Sequence, residues 1–358
     1  MKGRPVSEFK AAHDPQTIIG RLEAEIRRLS QESADAAAIK AIVGTAAQSV
    51  EAYDPPAWSV TPPRRDTSHG VPTLFLSDLH WGEIVRASQV NGVNEYSLIH
   101  ARLRLGATVQ TAIDLCRIID PKMRYPGIVV PLGGDMISGN IHEELQATNE
   151  MNTMPTVLDL YDHLVGAIKL LAETFGRVFL PCVSGNHGRD TRKTWAKDRA
   201  HTSFDWLLYQ FLARRFRDDK RVTFFIPDGS DALYRVYSTR YNLTHGDQFR
   251  AGDSIIGPIG PLMRGNQKKT ARNQAVNQDY DVLLAGHWHQ YIHLSRMIVN
   301  GSLKGYDEYA AQNNLGFEPP TQALWITHPR FGITFRMPVY CDTRTKAPAA
   351  EWVSVPQQ

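Results

Sequence analysis

A chain of 358 residues with 42% hydrophobic and 22% charged side chains is long enough for one large layered domain with appendages, and its composition excludes collagen-like and wholly disordered proteins. No segment approaches the ~18 consecutive apolar residues of a membrane helix, and the first residues lack the apolar core of a secretory signal, so we expect a cytoplasmic protein. The net charge of +3 excludes a uniformly basic nucleic-acid coat but permits local basic patches. The three cysteines are widely spaced, so we expect reduced, mostly buried thiols rather than disulfides or a zinc knuckle.

The N-terminal segment, residues 1–50, carries the pattern of an amphipathic helix. Its apolar side chains recur at three- and four-residue spacing: Ile19, Leu22, Ile26 and Leu29. Such a helical appendage can pack on the chain's own body or pair with a second copy in a homodimer. A proline-rich segment follows over residues 51–70, where we expect an extended linker.

Between residues 71 and 340, short apolar runs alternate with helical ones, which predicts an α/β domain with helices covering a layered sheet. The predicted strands are PTLFLSD, GIVVPLGGD, RVFLPCVSGN, VTFFIP, ALYRVYS, RYNLTHGD, DVLLAGH and MIVNGS. Helices are predicted over residues 97–119, 155–175 and 204–216. ALWIT and GITFRMPVY predict a terminal hairpin, and residues 341–358 a loosely held tail.

Histidine, aspartate and asparagine residues follow five of the predicted strands. In chain order they are Asp78 and His80, Asp135, Asn186 and His187, His245 and Asp247, and His287 and His289. A single DxH or GNH sequence is typical of a turn or a helix cap. Five such groups, each directly after an apolar run, indicate a site where distant ligands converge at the carboxyl ends of strands. The histidines outside this pattern are interpreted as structural or surface residues: His142, His163, His201 and His293.

This ordered set resembles the motifs of the calcineurin-like metallophosphoesterase superfamily. The matching blocks are Asp78-Leu79-His80, Gly134-Asp135, Gly185-Asn186-His187, His245-Gly246-Asp247 and Gly286-His287-Trp288-His289. The resemblance implies a four-layer α/β/β/α sandwich. It also implies one metal ion held by Asp78, His80 and His289, and a second held by Asn186, His245 and His287. Asp135 would bridge both ions, and His187 would face the substrate as a catalytic residue.

The chemistry of phosphoester hydrolysis asks for such residues independently. Two divalent ions ~3.5–4 Å apart neutralise the phosphoryl oxygens and lower the pKa of a bridging water, which attacks as hydroxide. Mixed carboxylate, imidazole and amide ligands suit Mn²⁺, iron or Zn²⁺, with Mg²⁺ a further candidate, better than Ca²⁺. We expect Mn²⁺. The imidazole of His187 can donate a proton to the departing oxygen.

One position departs from the superfamily pattern. An acidic residue usually follows the histidine of the GNH block, but Gly188 stands there in this chain. Asp190, two residues further on, is our candidate for the missing partner of His187, and it joins His187 in the predicted catalytic pair. The metal ligands are unaffected by this departure.

Two basic segments flank the ligand blocks, and both are interpreted as loops. GRDTRKTWAKDR follows His187, and RGNQKKTARNQ precedes the last block. They predict contacts to a nucleic-acid backbone, and the candidate substrate-binding residues are Arg189, Lys268, Lys269 and Arg272. Three tryptophans beside the ligand blocks could stack on bases or pack in the core: Trp81, Trp195 and Trp288.

The phrases GGDMISGNIHEEL and NGSLKGYDEYA look like those of metallophosphoesterases in bacteriophage and prophage genomes. This second resemblance favours a nuclease or phosphodiesterase with a nucleic-acid substrate and no membrane partner. A phosphatase of phosphoproteins or small monoesters and a nucleotide-signal phosphodiesterase are the alternatives. A catalysis-free replication subunit is disfavoured, because such relatives lose metal ligands and this chain has the full set.

Overall fold

The structure, a computed structural model, describes residues 55–62, 69–249 and 257–342. The predicted helical appendage over residues 1–50, its homodimer contact, and all but two residues of the predicted tail lie outside the described residues. Within the described part, no helix combines the length and the apolar character needed to cross a membrane.

The described chain contains seven α-helices and eleven strands. The helices are α1 (Ala57–Val60), α2 (Leu98–Ile119), α3 (Glu143–Thr148), α4 (Thr153–Phe175), α5 (Phe204–Phe216), α6 (Ile259–Ala275) and α7 (Glu308–Gln312). The strands are β1 (Val71–Phe75), β2 (Ile128–Val129), β3 (Val178–Pro181), β4 (Val222–Phe225), β5 (Asp231–Val236), β6 (Thr239–Thr244), β7 (Val282–Ala285), β8 (Ile292–Leu294), β9 (Met297–Val299), β10 (Thr321–His328) and β11 (Gly332–Tyr340). A 3-10 turn spans Ala87–Gln89.

The strands form two mixed sheets. The first has the order β11-β10-β1-β2-β3-β4, in which β1 to β4 run parallel and the β10–β11 hairpin joins antiparallel, with Val71 opposite Thr327. The second has the order β5-β6-β7-β9-β8, with three parallel central strands and antiparallel edges. The carboxyl ends of the parallel strands therefore fall on one edge of each sheet, where ligand sites of α/β proteins form.

The two sheets pack face to face across one buried core. Phe75, Phe179 and Trp325 of the first sheet meet Tyr241 and Leu284 of the second. Helices α2, α4 and α5 cover the first sheet, and α6 lays Leu262 on the outer face of the second. The predicted four-layer α/β/β/α sandwich is thus confirmed, as are the terminal hairpin and the burial of all three cysteines.

The predicted extended linker is wrong at residues 57–60, which form helix α1. Its Trp58 packs against the core between the sheets, and the backbone N–H of Tyr237 donates to the Ser59 carbonyl at 2.7 Å. Burying one large aromatic side chain holds this turn of helix, although prolines precede it. This part of the proline-rich segment is therefore built into the domain.

The segment RGNQKKTARNQ is not a loop, because it lies inside helix α6. The helix has few apolar side chains, so its pattern does not predict it from sequence. An ion pair anchors the helix to the sheet where apolar contacts are few. Lys269 Nζ contacts Asp231 Oδ1 of strand β5 at 2.5 Å, and both side chains are largely buried. Arg272 contacts the other oxygen of the same carboxylate. Helices α3 and α7 and strand β8 are likewise elements that the sequence did not predict.

Replacing Lys269 by methionine should lower the free energy of unfolding by about 2 kcal/mol or more, because removing one partner of a buried pair leaves the other charge poorly compensated. Urea unfolding measures this. Lys268→Met, which changes the exposed neighbour on the same helix, should stay within about 0.5 kcal/mol of the parent. Equal losses in the two variants would show that the Lys269 pair does not anchor α6.

Candidate metal centre

The structure brings together the residues that the sequence predicts as metal ligands: six of the seven fall in three groups that also include His187, and the seventh, Asn186, contacts His245. Three groups of side chains have ligand atoms within 4.8 Å of one another: Asp78, His80 and His289; His80, Asp135 and His187; and Asp135, His245 and His287. They come from the ends of β1, β2, β3, β6 and β7. Asp135 belongs to two of the groups, which is the position expected of a bridging carboxylate.

The first ligand cluster faces the end of β1. Nε2 of His80 and Nε2 of His289 lie 3.0 Å apart, and His289 Nε2 lies 3.5 Å from Asp78 Oδ1. Asp78 is fully buried and held by its own neighbours, since it accepts hydrogen bonds from the Ser77 hydroxyl and from the backbone N–H of His287. Burial, followed by the positive charge of Lys304, lowers the pKa of His80 to about 3, so this imidazole is neutral and free to ligate.

The second ligand cluster faces the ends of β3 and β6. Nε2 of His245 lies 3.0 Å from Asp135 Oδ2 and 3.1 Å from Asn186 Oδ1. Burial and the neighbouring charge of His245 lower the pKa of His287 to about 4. Burial alone would favour a protonated Asp135, but His245 and then His187 hold the pKa of this carboxyl well below its usual range. The bridging oxygen atoms are therefore anionic.

The donor atoms of the second cluster fit a cation. Nδ1 of His245 lies 2.9 Å from the carbonyl oxygen of Gly133, which can only accept, so Nδ1 carries the proton of the neutral ring. The lone pair on Nε2 then points at the oxygens of Asp135 and Asn186. A metal ion would bind the three lone pairs that converge here, on His245 Nε2, Asp135 and Asn186. In its absence, a second proton on His245 Nε2 can donate to the two oxygens instead. In that case Asp135 and other carboxylates outweigh burial and raise the pKa of His245 to about 10.

The backbone at this edge is shaped for the ligands. Five of the seven ligand residues have positive φ angles between 47° and 69°: Asp78, His80, Asp135, His287 and His289. Non-glycine residues avoid this region unless the surrounding structure enforces it, and such strain gathers at functional sites. Gly185 allows the loops to approach, because a Cβ there would lie 2.1 Å from Asp135 Oδ1.

Glu83 orients His80 from behind, a role that we did not predict. Its Oε2 lies 3.2 Å from His80 Nδ1, and its Oε1 accepts from Lys304 Nζ at 2.6 Å. Lys304 in turn contacts Asp307 at 2.6 Å. Although burial favours a neutral Glu83, the Lys304 ammonium holds the pKa of this carboxyl well below its usual range. A carboxylate behind a ligating histidine fixes the ring and raises its basicity.

His187 stands at the opening of the site. Its ring lies edge-on to His80, with centroids 4.5 Å apart, and its backbone N–H donates to Asp135 Oδ1 at 2.7 Å. Nδ1 contacts the carbonyl oxygen of Ser138 at 2.9 Å, so Ser138 fills the orienting role that we expected for Asp190. Asp190 is exposed instead. Burial lowers the pKa of His187, and Asp135 opposes this only in part.

A second residue missed by the sequence prediction, Asp205, lies beneath the ligand loops. It is fully buried in the first turn of α5 and accepts from the backbone N–H groups of Asp135 and Gly185. Burial, followed by the nearby charge of Asp135, raises the pKa of Asp205 to about 7. An acid in the first turn is usual for any helix, so the sequence alone does not distinguish this one.

The predicted substrate-binding residues separate into two places. Arg189 lines a groove of about 650 Å³ beside the site, together with Asn140, Thr153, Arg192 and Phe204. Its guanidinium donates to the carbonyl oxygen of Asn186 at 2.6 Å. Lys268, Lys269 and Arg272 lie on α6. The expectation that Lys269 contacts substrate is wrong, because it is buried against Asp231, and Arg272 is engaged by the same carboxylate.

The three tryptophans also differ. Trp81 is fully buried and donates to Asp159 Oδ2 at 2.7 Å, so it belongs to the core. Trp288 packs against the cluster under α6. Trp195 is 56% exposed in the basic segment after His187, which makes it the most open of the three to stacking on a base.

Comparisons with known proteins give weak likenesses. No protein-family model matches the sequence, and no curated protein matches it. A conserved predicted phosphoesterase from Streptococcus pneumoniae is 11% identical over 72% of this chain and 84% of its own, with a TM-score of 0.27. Vps29 from Entamoeba histolytica, complexed with zinc, is 12% identical over 76% and 100%, with a TM-score of 0.30. The sulfate thiohydrolase SoxB of Thermus thermophilus is 10% identical over 80% and 57%, with a TM-score of 0.32. Similarity at this level carries no argument about function, and the assignment rests on this chain's own residues.

Asp135→Asn should remove at least one of two bound Mn²⁺ ions, because an amide offers one neutral oxygen where a carboxylate offers two anionic ones. Elemental analysis after dialysis measures the ion content. Added Mn²⁺ should raise the melting temperature of the parent by mass action and raise that of the variant less. Asp190→Asn, at an exposed acid near the site, should keep both ions. Two ions at parent affinity in Asp135→Asn would exclude a bridging role.

Proposed function

We propose that this chain is a phosphoester hydrolase of the metallophosphoesterase type that binds two divalent metal ions, Mn²⁺ in preference. The observation that carries the proposal is the place of Asp135. Its carboxylate lies between an imidazole and carboxylate cluster at β1 and β7 and an imidazole and amide cluster at β3 and β6. A single-ion site does not need this second set of ligands.

The bound ions would neutralise the phosphoryl oxygens and lower the pKa of an attacking water. Asp78, His80 and His289 would hold one ion, Asn186, His245 and His287 the other, with Asp135 shared. These side chains are held before substrate arrives, since backbone N–H groups donate to Oδ1 of Asp78 and of Asp135, and the Gly133 carbonyl engages Nδ1 of His245. Such preorganisation avoids a reorganisation cost during the reaction.

His187 is the proposed general acid. The Ser138 carbonyl fixes one proton on Nδ1, so Nε2 must take up a second proton, giving the imidazolium, before it can act as the acid. Because burial lowers the pKa of His187, this cation gives up the Nε2 proton readily. The departing oxygen develops negative charge as the ester bond breaks, and a proton from Nε2 neutralises it. The backbone N–H of His187 donates to Asp135, and the partly exposed ring lies at the opening of the site, where a substrate can approach it.

His187→Ala should lower turnover of bis-p-nitrophenyl phosphate by ~10²-fold or more through loss of acid catalysis, with both ions retained. Steady-state kinetics and metal analysis on the same preparation measure the two effects separately. His163→Ala, at a partly exposed histidine on α4, should match the parent. Unchanged turnover in His187→Ala would remove this residue from the mechanism, whereas loss of ions would make it a ligand.

The proposed substrate is a nucleic acid. The groove beside His187 is far larger than one phosphate, and Arg189 and Arg192 lie in its wall. Arg192, Lys193 and Lys197 are exposed in the same segment, and none of them makes an ion pair with a described residue. Glu143 and Asp190 line the groove as well, so the excess positive charge comes from the exposed segment that continues past it, and such a segment suits a backbone of repeated phosphates. Exposed Trp195 adds a surface for base stacking.

Changing Arg192, Lys193 and Lys197 together to alanine should weaken DNA binding strongly and flatten its salt dependence, since each phosphate contact contributes ~0.9 to the slope of log K against log salt. Hydrolysis of bis-p-nitrophenyl phosphate should hardly change, because this small diester reaches only the metal centre. Lys169→Ala removes an exposed charge on α4 and is the control with little expected effect.

Two results would contradict the nucleic-acid substrate. One is parent-like DNA cleavage by the triple variant at every salt concentration, which would make the segment an ordinary solvated surface. The other is a parent enzyme that cleaves monoesters far better than diesters and leaves DNA intact. That second result would favour the phosphatase alternative while keeping the dinuclear centre.

A further inference from the structure

A single buried carboxylate ties two of the ligand loops together. Oδ2 of Asp205 accepts from the backbone N–H of Asp135 at 3.0 Å and from that of Gly185 at 2.9 Å, and Oδ1 accepts from Met136 at 3.2 Å. Asp135 belongs to the loop after β2, and Gly185 to the loop after β3. The oxygens of one side chain therefore set the distance between the bridging ligand and the GNH block.

The three N–H donors are what make this burial possible. A fully buried carboxylate costs much free energy unless hydrogen bonds replace its hydration. The same bonds satisfy backbone N–H groups that point into the packed base of the site, where water cannot reach them. Removing the carboxylate would thus strand donors on both loops at once.

Gly188 lies directly over this carboxylate. A Cβ at position 188 would come within 2.8 Å of Asp205 Oδ1 and 3.0 Å of its Cγ. Its φ angle lies outside the left-handed region, so the lack of space, and not the backbone conformation, excludes a side chain. The Gly188 carbonyl accepts from the backbone N–H of Phe204 at 2.7 Å, which holds the start of α5 against the loop.

The geometry points to Asp205 as the positioning residue that holds the loops of Asp135 and Gly185 together from helix α5 and that fills the space which a side chain at position 188 would need. An acid on either residue would occupy one space, and only one of them can do so. Asp205 acts on the reaction through the backbone of Asp135, Gly185 and the two residues that follow Gly185, Asn186 and His187. The activity part of this inference rests on the proposed function, whereas the shared space does not.

Asp205→Asn tests the role with little change of shape, because an NH₂ group then faces backbone N–H donors. The variant should bind Mn²⁺ ~10–100-fold more weakly, as changes behind a ligand do. At saturating Mn²⁺, kcat for bis-p-nitrophenyl phosphate should fall while KM stays near the parent value, since the loops that align the reacting groups have shifted. Asp218→Asn, at the exposed acid just after α5, is the matched control and should leave both values unchanged.

Moving the acid tests the shared space. Gly188→Asp alone should lower Mn²⁺ affinity and the metal-free melting temperature, because it collides with Asp205. The same change in an Asp205→Ala background should raise both relative to Asp205→Ala. If Asp205 only contributes to stability, Gly188→Asp should change Mn²⁺ affinity and melting temperature equally in both backgrounds. If the two side chains share one space, Gly188→Asp should lower both quantities in the parent and raise both in the Asp205→Ala variant.

Parent-like Mn²⁺ affinity and kcat in Asp205→Asn would overturn the inference, and so would a loss from Gly188→Asp that is equal in both backgrounds. Failure of the proposed function is seen in the parent itself, as absence of Mn²⁺ binding and of ester hydrolysis. In that event the metal-free melting temperatures still decide whether Asp205 and residue 188 exclude one another.

Discussion

The structure of the site depends on one constraint: electron lone pairs of several ligand atoms face one another in the buried interior. Two buried carboxylates, Asp78 and Asp135, and the imidazoles of His80, His245 and His289 point donor atoms at one another across 3.0 to 3.5 Å. Such an arrangement is unfavourable unless positive charge lies among the donors, because burial removes the water that would otherwise screen them. The strained φ angles of five ligand residues show that the fold is built around this arrangement.

The groups behind the ligands determine their chemical state. The carbonyls of Gly133 and Ser138 place a proton on Nδ1 of His245 and His187, and so direct each Nε2 toward the centre. Glu83 does the same for His80 from a carboxylate whose charge Lys304 balances. A metal centre of this kind thus depends on backbone geometry as much as on its ligands.

The sequence predicts the ligands better than their supports, and the reason is physical. Asp78, Asn186 and His289 follow apolar strands, and strand ends meet at one edge of a sheet whatever the loops do. A backbone carbonyl such as that of Ser138 carries no signal in the side-chain pattern. Asp205 has the usual identity for the first turn of a helix, and only the fold shows that it sits under Gly188.

The same limit explains the basic segment of α6. Four successive polar and basic side chains are typical of a solvated surface. Lys269 is nevertheless buried, because its ammonium forms an ion pair with Asp231 on the neighbouring strand β5. A cation whose charge a neighbouring carboxylate already compensates attracts an anionic substrate less strongly. Lys269 and Arg272 share one carboxylate, and Arg199 is paired with Asp247. Arg192, Lys193 and Lys197 have no such partner among the described residues, and Arg192 lies in the wall of the groove together with Glu143 and Asp190. On our proposal of a nucleic-acid substrate, these exposed cations would attract the phosphates that flank the one beside His187.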